Sequence, residues 1–221
     1  MLQSRSHKAI LRETAMFRDR IDAAERLSET LAAYRGHRPL VLAIPRGAVP
    51  MAKLIAERLK GDFDVVLVRK LRAPWQPELA IGSVDEGGWT YIAPFAASAG
   101  ADAQHIETEK REQLETIRRR RAQYTPLRAH INPAGRIVIV VDDGLATGAT
   151  MIAALHGLRQ QKPARLVCAV PVAPPDTLEK VRPLADEVVC LETPEGFQAV
   201  GQFYRDFAQV EDEEVIALLK A

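Results

Sequence analysis

The run from Ile137 to Thr150 constrains this chain more than any other stretch. Ile137 to Val141 are five consecutive β-branched apolar residues. Such a row fits a strand buried on both faces, as the strands of a parallel sheet are. Asp142 and Asp143 follow at its C-terminal end, the edge at which open α/β sheets bind ligands. Gly144, Leu145, Ala146, Thr147, Gly148, Ala149 and Thr150 then form a loop of small residues and hydroxyls, and a helical pattern starts at Met151. Small side chains let backbone N–H groups close on an anion. Threonine hydroxyls add donors, and the helix N-terminus adds partial positive charge. A cradle for phosphate beside two acids suits a ligand with both a phosphate and neighbouring hydroxyls, as a sugar phosphate has.

Strand and helix patterns alternate along the rest of the chain. Asp19 to Tyr34 places Ile21, Ala24, Leu27 and Leu31 at helical spacing and stops at Arg35-Gly36. Leu40 to Ile44 reads as a strand broken by Pro45-Arg46-Gly47, Val49 to Leu59 as a helix, and Val65 to Val68 as the next strand. Together they make a first βαβ crossover. Leu71 to Ser83, with Pro74, Trp75, Pro77 and Gly82, has no helical period. It reads either as a loop that closes over a site or as an ordinary surface excursion. Ile81 to Val84 and Trp89 to Ile92 frame a hairpin around Asp85-Glu86-Gly87-Gly88. Ala101 to Tyr124 is a long charged helix whose Arg118 to Arg121 point in all directions, as a solvated helix end does. Met151 to Gln160 is a helix, Ala164 to Val170 a strand ended by Pro171, and Thr177 to Val181 a short helix. Glu187 to Leu191 is a further strand and Asp212 to Leu219 a closing helix. This alternation predicts an α/β chain.

At 221 residues and 47% hydrophobic, the chain has material for one full α/β domain with an appendage, or for two small ones. A formal net charge of +1 gives no global field toward nucleic acid or a membrane. No apolar run reaches the length of a bilayer span. Met1 to Met16 lacks a signal-peptide apolar stretch and reads as an N-terminal extension, with the cytosol as default location. Cys168 and Cys190 lie in apolar, strand-like runs, as buried thiols do. His37, His105, His130 and His156 have no ligand spacing, so no direct protein metal site is expected.

Val140 to Thr150 resembles the phosphoribosyl-diphosphate (PRPP) motif of type I phosphoribosyltransferases, a motif of four apolar residues, of which Val140 and Val141 match the last two, then two acids and a short loop of small residues and threonines. Ile44-Pro45-Arg46-Gly47 resembles that family's pyrophosphate loop, and Arg69-Lys70 precedes a segment similar to its flexible loop. From Phe17 onward the chain is similar to a widespread bacterial subgroup of the family. The similarity rests on Phe17-Arg18-Asp19-Arg20, Pro45-Arg46-Gly47, Val68-Arg69-Lys70, Pro77-Glu78-Leu79-Ala80 and Phe197 to Asp206. The resemblance implies an α/β fold, a Rossmann-like parallel sheet of about five strands with helices on both faces, plus a small hood subdomain. It further implies one domain over 17–221 after the extension 1–16. The hood would come from the N-terminal segment and about 192–207, and the flexible loop would span about 71–83.

The resemblance also implies a chemistry: Mg²⁺-dependent transfer of the 5-phosphoribosyl group of PRPP to a nitrogenous base, purine-like favoured, with release of pyrophosphate. Asp142 and Asp143 would hold the ribose 2′- and 3′-hydroxyls. The backbone from Gly144 to Thr150, with the Thr147 and Thr150 hydroxyls, would hold the 5′-phosphate. Arg46, Gly47 and Lys70 would meet the pyrophosphate, and Mg²⁺ would be held through PRPP and water. Phe197 would stack on the base, or else merely pack, while Val200 would offer backbone contacts. Ala146 stands where the hypoxanthine–guanine branch has an aspartate, so any proton exchange falls elsewhere; Glu78 and Glu86 are candidates by position only. A homodimer is expected, with neither nucleic acid nor membrane as partner. The second reading is a regulator that senses PRPP or a nucleotide, with Arg118 to Arg121 as a candidate RNA contact. A dinucleotide enzyme is disfavoured, because no Gly-x-Gly-x-x-Gly follows the first strand.

Overall fold

Residues 16–124, 126 and 130–220 are described by a computed structural model of the chain; the expected extension, apart from Met16, lies outside them. The elements run α1 (Arg20–Thr30), β1 (Leu40–Ala43), α2 (Val49–Leu59), β2 (Asp62–Val65), β3 (Val68–Arg72), β4 (Ala80–Asp85), β5 (Thr90–Ile92) and α3 (Ala103–Tyr124). They continue with β6 (Ile137–Val141), α4 (Ala149–Gln160), β7 (Arg165–Val172), α5 (Pro175–Val181), β8 (Glu187–Glu192) and α6 (Asp212–Lys220).

Five strands form one parallel sheet in the order β2-β1-β6-β7-β8. Side chains alternate between its faces, so each apolar strand feeds two cores. Val41, Ala43, Ile139 and Val141 face the core shared with Leu27 of α1 and Ile55 of α2. Leu40, Leu42, Val138 and Val140 face the core shared with Met151 and Leu155 of α4 and Leu178 of α5. Helices therefore cover both faces, as the alternating pattern requires. Among the described residues, no helix is long and apolar enough to cross a membrane.

The site follows from strand order. β1 has β2 on one side and β6 on the other. The chain thus leaves β1 and β6 in diverging directions, and their C-terminal loops part to leave a crevice. Pro45-Arg46-Gly47 and Asp142-Asp143, distant in sequence, become its two lips. A separate antiparallel ribbon, β3-β4-β5, stands beside the sheet. It is pinned to the first turn of α4 by the buried Ser83 hydroxyl, which donates to Ala149 O at 2.6 Å. α3 backs the ribbon through Arg72–Glu109 (2.6 Å) and Arg69–Gln113 (3.0 Å).

Four local readings need correction. The apolar run Val65-Val66-Leu67-Val68 is not one strand: β2 ends at Val65 in the parallel sheet, and β3 starts at Val68 in the ribbon. Apolar continuity carries no mark of a change of sheet. Lys70, expected just past that strand, consequently lies within β3 of the ribbon. Pro171 does not stop β7, which reaches Val172. The register with β6 ends at Ala169, so Pro171 falls after the last β6 pair and its missing N–H breaks no rung there. Arg121 is not part of a solvated helix end: it donates to Glu86 Oε2 (2.6 Å) and Val65 O (3.1 Å).

Candidate functional site

The crevice holds a cavity of about 460 Å³. Arg46, Gly47, Lys70, Asp142, Asp143, Gly144, Leu145, Ala146, Thr147, Gly148, Thr150 and Val200 all line it. So do Arg20, Phe207, Gln209 and Val210, which were not foreseen as site residues.

The acid pair sits where β6 ends. The Asp143 amide donates to Asp142 Oδ1 at 2.9 Å, which turns the first carboxylate back on its own chain. Asp143 Oδ2 receives two bonds from one guanidinium, Arg20 Nε and Nη2, each at 2.8 Å. The Tyr204 hydroxyl donates to the Asp143 carbonyl at 2.7 Å. Asp142 Oδ2 and Asp143 Oδ1 accept no hydrogen bond among the described residues. Loss of surrounding water and the neighbouring Asp143 charge push the Asp142 carboxyl well above its ordinary range. Asp143 rises too, through burial, but Arg20 beside it works against that rise. Burial likewise pushes the Tyr204 phenol up, so it remains a donor.

Gly47 is glycine for a reason visible here. A Cβ at this position would collide with Asp143 Oδ2, and would lie 3.0 Å from Asp143 Cγ and 3.2 Å from Arg20 Nε. The two lips of the crevice therefore touch through a bare Cα.

The loop after the acids is built to leave amides unspent. The Thr177 hydroxyl donates to Ala146 O at 2.6 Å and the Leu145 amide to Val172 O at 2.9 Å, so α5 and β7 hold the loop from behind. Gly148, at φ +76°, adopts the left-handed conformation from which α4 starts. The amides of Ala146, Thr147, Gly148 and Thr150 find no hydrogen-bond partner among the described residues. Those of Gly148 and Thr150 belong to the open N-terminus of α4 and those of Ala146 and Thr147 to the loop before it, together a ready anion seat. Ala149 does not line the cavity: its amide faces Thr147 Oγ1 at 3.5 Å, and its carbonyl accepts from Ser83.

Two cations stand across from the seat. Lys70 is exposed on β3. Arg46 lies near two carboxylates at the start of α6, with Nη1 3.4 Å from Glu211 and 3.6 Å from Asp212.

The remaining wall comes from residues 200–210. Val200 leans over Gly144, where its Cγ1 would be 2.6 Å from an added Cβ. Phe197 does not line the cavity; it packs on Phe203, with ring centroids 5.2 Å apart. The aromatic that does line it is Phe207, set between Tyr204 (4.9 Å) and the Arg20 guanidinium (3.9 Å). The N-terminal stretch is stitched to this wall: the Phe17 amide donates to Phe203 O (3.0 Å), and Arg205 donates to Phe17 O (2.9 Å). Of the positional candidates for proton exchange, Glu86 is taken up by Arg121 and lies off the cavity. Glu78 lines a neighbouring groove with Arg69 and Lys70.

Arg20 left a faint signal in sequence. It is a cation in the first turn of a helix, where the backbone dipole disfavours it, so an acid elsewhere is its natural partner. Phe207 belonged to a visible aromatic cluster, but nothing local separates the ring that packs from the ring that lines.

A family model described as "Phosphoribosyl transferase domain" matches residues 6–208. Two relatives from Mycobacterium tuberculosis are named "Putative phosphoribosyl transferase MT0597" (strain CDC 1551 / Oshkosh) and "Putative phosphoribosyl transferase Rv0571c" (strain ATCC 25618 / H37Rv). Each is 42% identical over 205 residues, which is 92% of this chain and 46% of the relative. The chain thus spans about half the length of these curated relatives. The crystal structure of TT1426 from Thermus thermophilus matches with a TM-score of 0.77 and 46% identity, over 92% of this chain and 97% of that one.

Proposed function

This chain belongs to the phosphoribosyl transferase domain family, and from that premise we propose that it moves the 5-phosphoribosyl group of PRPP to a nitrogenous base, purine-like in shape, with release of pyrophosphate. One observation carries the reading. Asp142 Oδ2 and Asp143 Oδ1, two carboxylate oxygens unengaged among the described residues, share one cavity with loop amides that are likewise unpaired among them. A cis-diol with a phosphate one sugar away answers both needs.

In this reading the 5′-phosphate sits on the amides of Ala146, Thr147, Gly148 and Thr150, and the ribose hydroxyls donate to the two aspartates as charge-assisted bonds. Arg46 and Lys70 receive the diphosphate and stabilise the negative charge that gathers on it as the C1–O bond breaks. The carboxylates lie close enough to the ribose to favour the positive charge that develops on the ring. Mg²⁺, bound with PRPP, would supply further neutralisation of the diphosphate. A hard cation held by its ligand and by water takes no protein oxygen for itself, so it leaves Asp142 and Asp143 to the ribose hydroxyls. The wall of Val200, Phe207, Gln209 and Val210 faces the acceptor and acts as the hood. Of the expected flexible loop 71–83, whose ends lie in β3 and β4, the tip 73–79 closes over the diphosphate to keep water from C1. Among the described residues this wall offers no carboxylate, in keeping with Ala146, so the incoming base attacks through a nitrogen lone pair and the proton it sheds passes to the departing pyrophosphate. A homodimer acting in the cytoplasm belongs to the same proposal.

The test is turnover. The protein is incubated with PRPP, Mg²⁺ and a panel of purine, pyrimidine and other nitrogenous bases, and pyrophosphate is followed, with Asp143→Asn as control. Transfer to at least one base, lost in the control, is expected. Tight PRPP binding with no turnover on any base would overturn the transferase reading.

A further inference from the structure

We propose that Arg20, outside the loops that form the phosphate seat and the acid pair, is the positioning residue of the ribose-diol subsite, holding Asp143 so that a single oxygen, Oδ1, remains for the substrate. The proposal rests on the reading of Asp143 as a ribose ligand and adds a residue from the first helix to it.

Three features of Arg20 mark it as built rather than incidental. Its guanidinium puts Nε and Nη2 on the same oxygen, both at 2.8 Å, instead of straddling the carboxylate fork. A straddling arrangement, the usual bidentate one, would consume both oxygens. Its third nitrogen, Nη1, donates to Ala208 O at 2.6 Å, so its own orientation is set from the far side. Its face lies on the Phe207 ring at 3.9 Å, and its side chain is 12% exposed. The backbone carbonyl of Asp143 is meanwhile held by Tyr204. A guanidinium clamped at three points thus selects one carboxylate rotamer and leaves the other oxygen toward the cavity.

The clamp also bears on charge. Asp143 is faced by Asp142 from its own strand end, Arg20 from α1, Lys70 from β3 and the Tyr204 hydroxyl from the wall. Burial pushes its carboxyl up, and among these neighbours Arg20 opposes that most strongly. Without Arg20 the carboxyl would take up a proton at higher pH and offer the diol a poorer acceptor.

The experiment compares wild type, Arg20→Met, Arg20→Lys, Asp143→Asn and the Arg20→Met/Asp143→Asn double variant. Calorimetric binding is measured for PRPP, for ribose 5-phosphate and for inorganic pyrophosphate, which has no diol. Arg20→Met should weaken PRPP and ribose 5-phosphate by about tenfold or more and leave pyrophosphate within about twofold. Arg20→Lys should restore part of the loss. In the Asp143→Asn background, Arg20→Met should add little, because no carboxylate is left to position. The Asp143 carboxyl, followed by carbon NMR, should titrate at higher pH in Arg20→Met. Equal weakening of all three ligands, or additive losses in the double variant, would reduce Arg20 to a structural tether. An unmoved Asp143 titration would overturn the proposal even if no ligand bound. Wild-type protein that fails to bind PRPP while Asp143 still shifts would instead sink the reading of the site.

Discussion

Gly47→Ala should damage the acid pair without touching a charged residue. The added methyl carbon would lie 3.0 Å from Asp143 Cγ and 3.2 Å from Arg20 Nε, and collides with Asp143 Oδ2. Comfortable carbon–carbon contact begins at about 3.5 Å, so some group must retreat by half an ångström or more. None of the neighbours is a loose end. Arg20 is fixed by Ala208 O and the Phe207 ring, and Asp143 by Arg20 and Tyr204. Overpacking of this kind costs about 1–3 kcal/mol. In a chain of this size each kcal/mol lowers Tm by about 2–4 °C, so Tm should fall by roughly 2–12 °C. Displacing Asp143 by such a distance should weaken PRPP by about ten- to a hundredfold, since geometry errors near an ångström carry penalties of that order. Calorimetry of unfolding and of PRPP binding reads both numbers. A variant with unchanged Tm and wild-type PRPP affinity would show that the lips of the crevice have slack, and the packing argument would be wrong.

Asp142→Asn separates stability from function. Its carboxyl is raised in the folded state by burial and by Asp143. The folded protein therefore holds a proton that the unfolded chain has already released, and stability declines as pH rises from the ordinary carboxylate value through the raised one. The amide keeps the Oδ1 acceptor and sheds the charge. Tm should thus exceed wild type near neutral pH, converge with it in acid, and PRPP binding should drop; a lower Tm at neutral pH refutes the sign. Thr177→Val removes the donor on Ala146 O. It should cost about 1–3 kcal/mol and weaken ribose 5-phosphate more than pyrophosphate, as paired titrations would reveal. Glu211→Gln with Asp212→Asn frees Arg46; pyrophosphate should bind several-fold tighter at low salt, with the gain shrinking as salt screens the charges. Identical affinities at low salt would mean that those carboxylates do not compete for Arg46.

Much of the candidate site was legible because its information is local. The run of two aspartates, small residues and hydroxyls names both the acids and the loop; which of its amides are spent is decided by Val172 O, which takes that of Leu145. Gly47 was legible only as a break after a strand; the Asp143 carboxylate that forbids a side chain there is contributed by another segment. Phe197 and Phe207 were indistinguishable, since both are aromatic residues on one irregular stretch and their roles turn on which ring meets Arg20. The β2–β3 boundary was illegible for a similar reason: hydrophobicity reports burial, not which sheet does the burying.

The amino-acid order by itself determined the alternation of elements, the two-faced burial of β6, and the chemistry available at the strand end. These depend on side-chain period and on neighbours within a few residues. Only the tertiary structure decided that β1 and β6 lie side by side with diverging exits. The same is true of the first helix, which sends a guanidinium across to Asp143, and of the wall of 200–210, which closes one side of the cavity. Those facts come from strand order and long-range packing, where partners more than a hundred positions apart, such as Arg20 and Asp143, meet because each was left with an unmet charge.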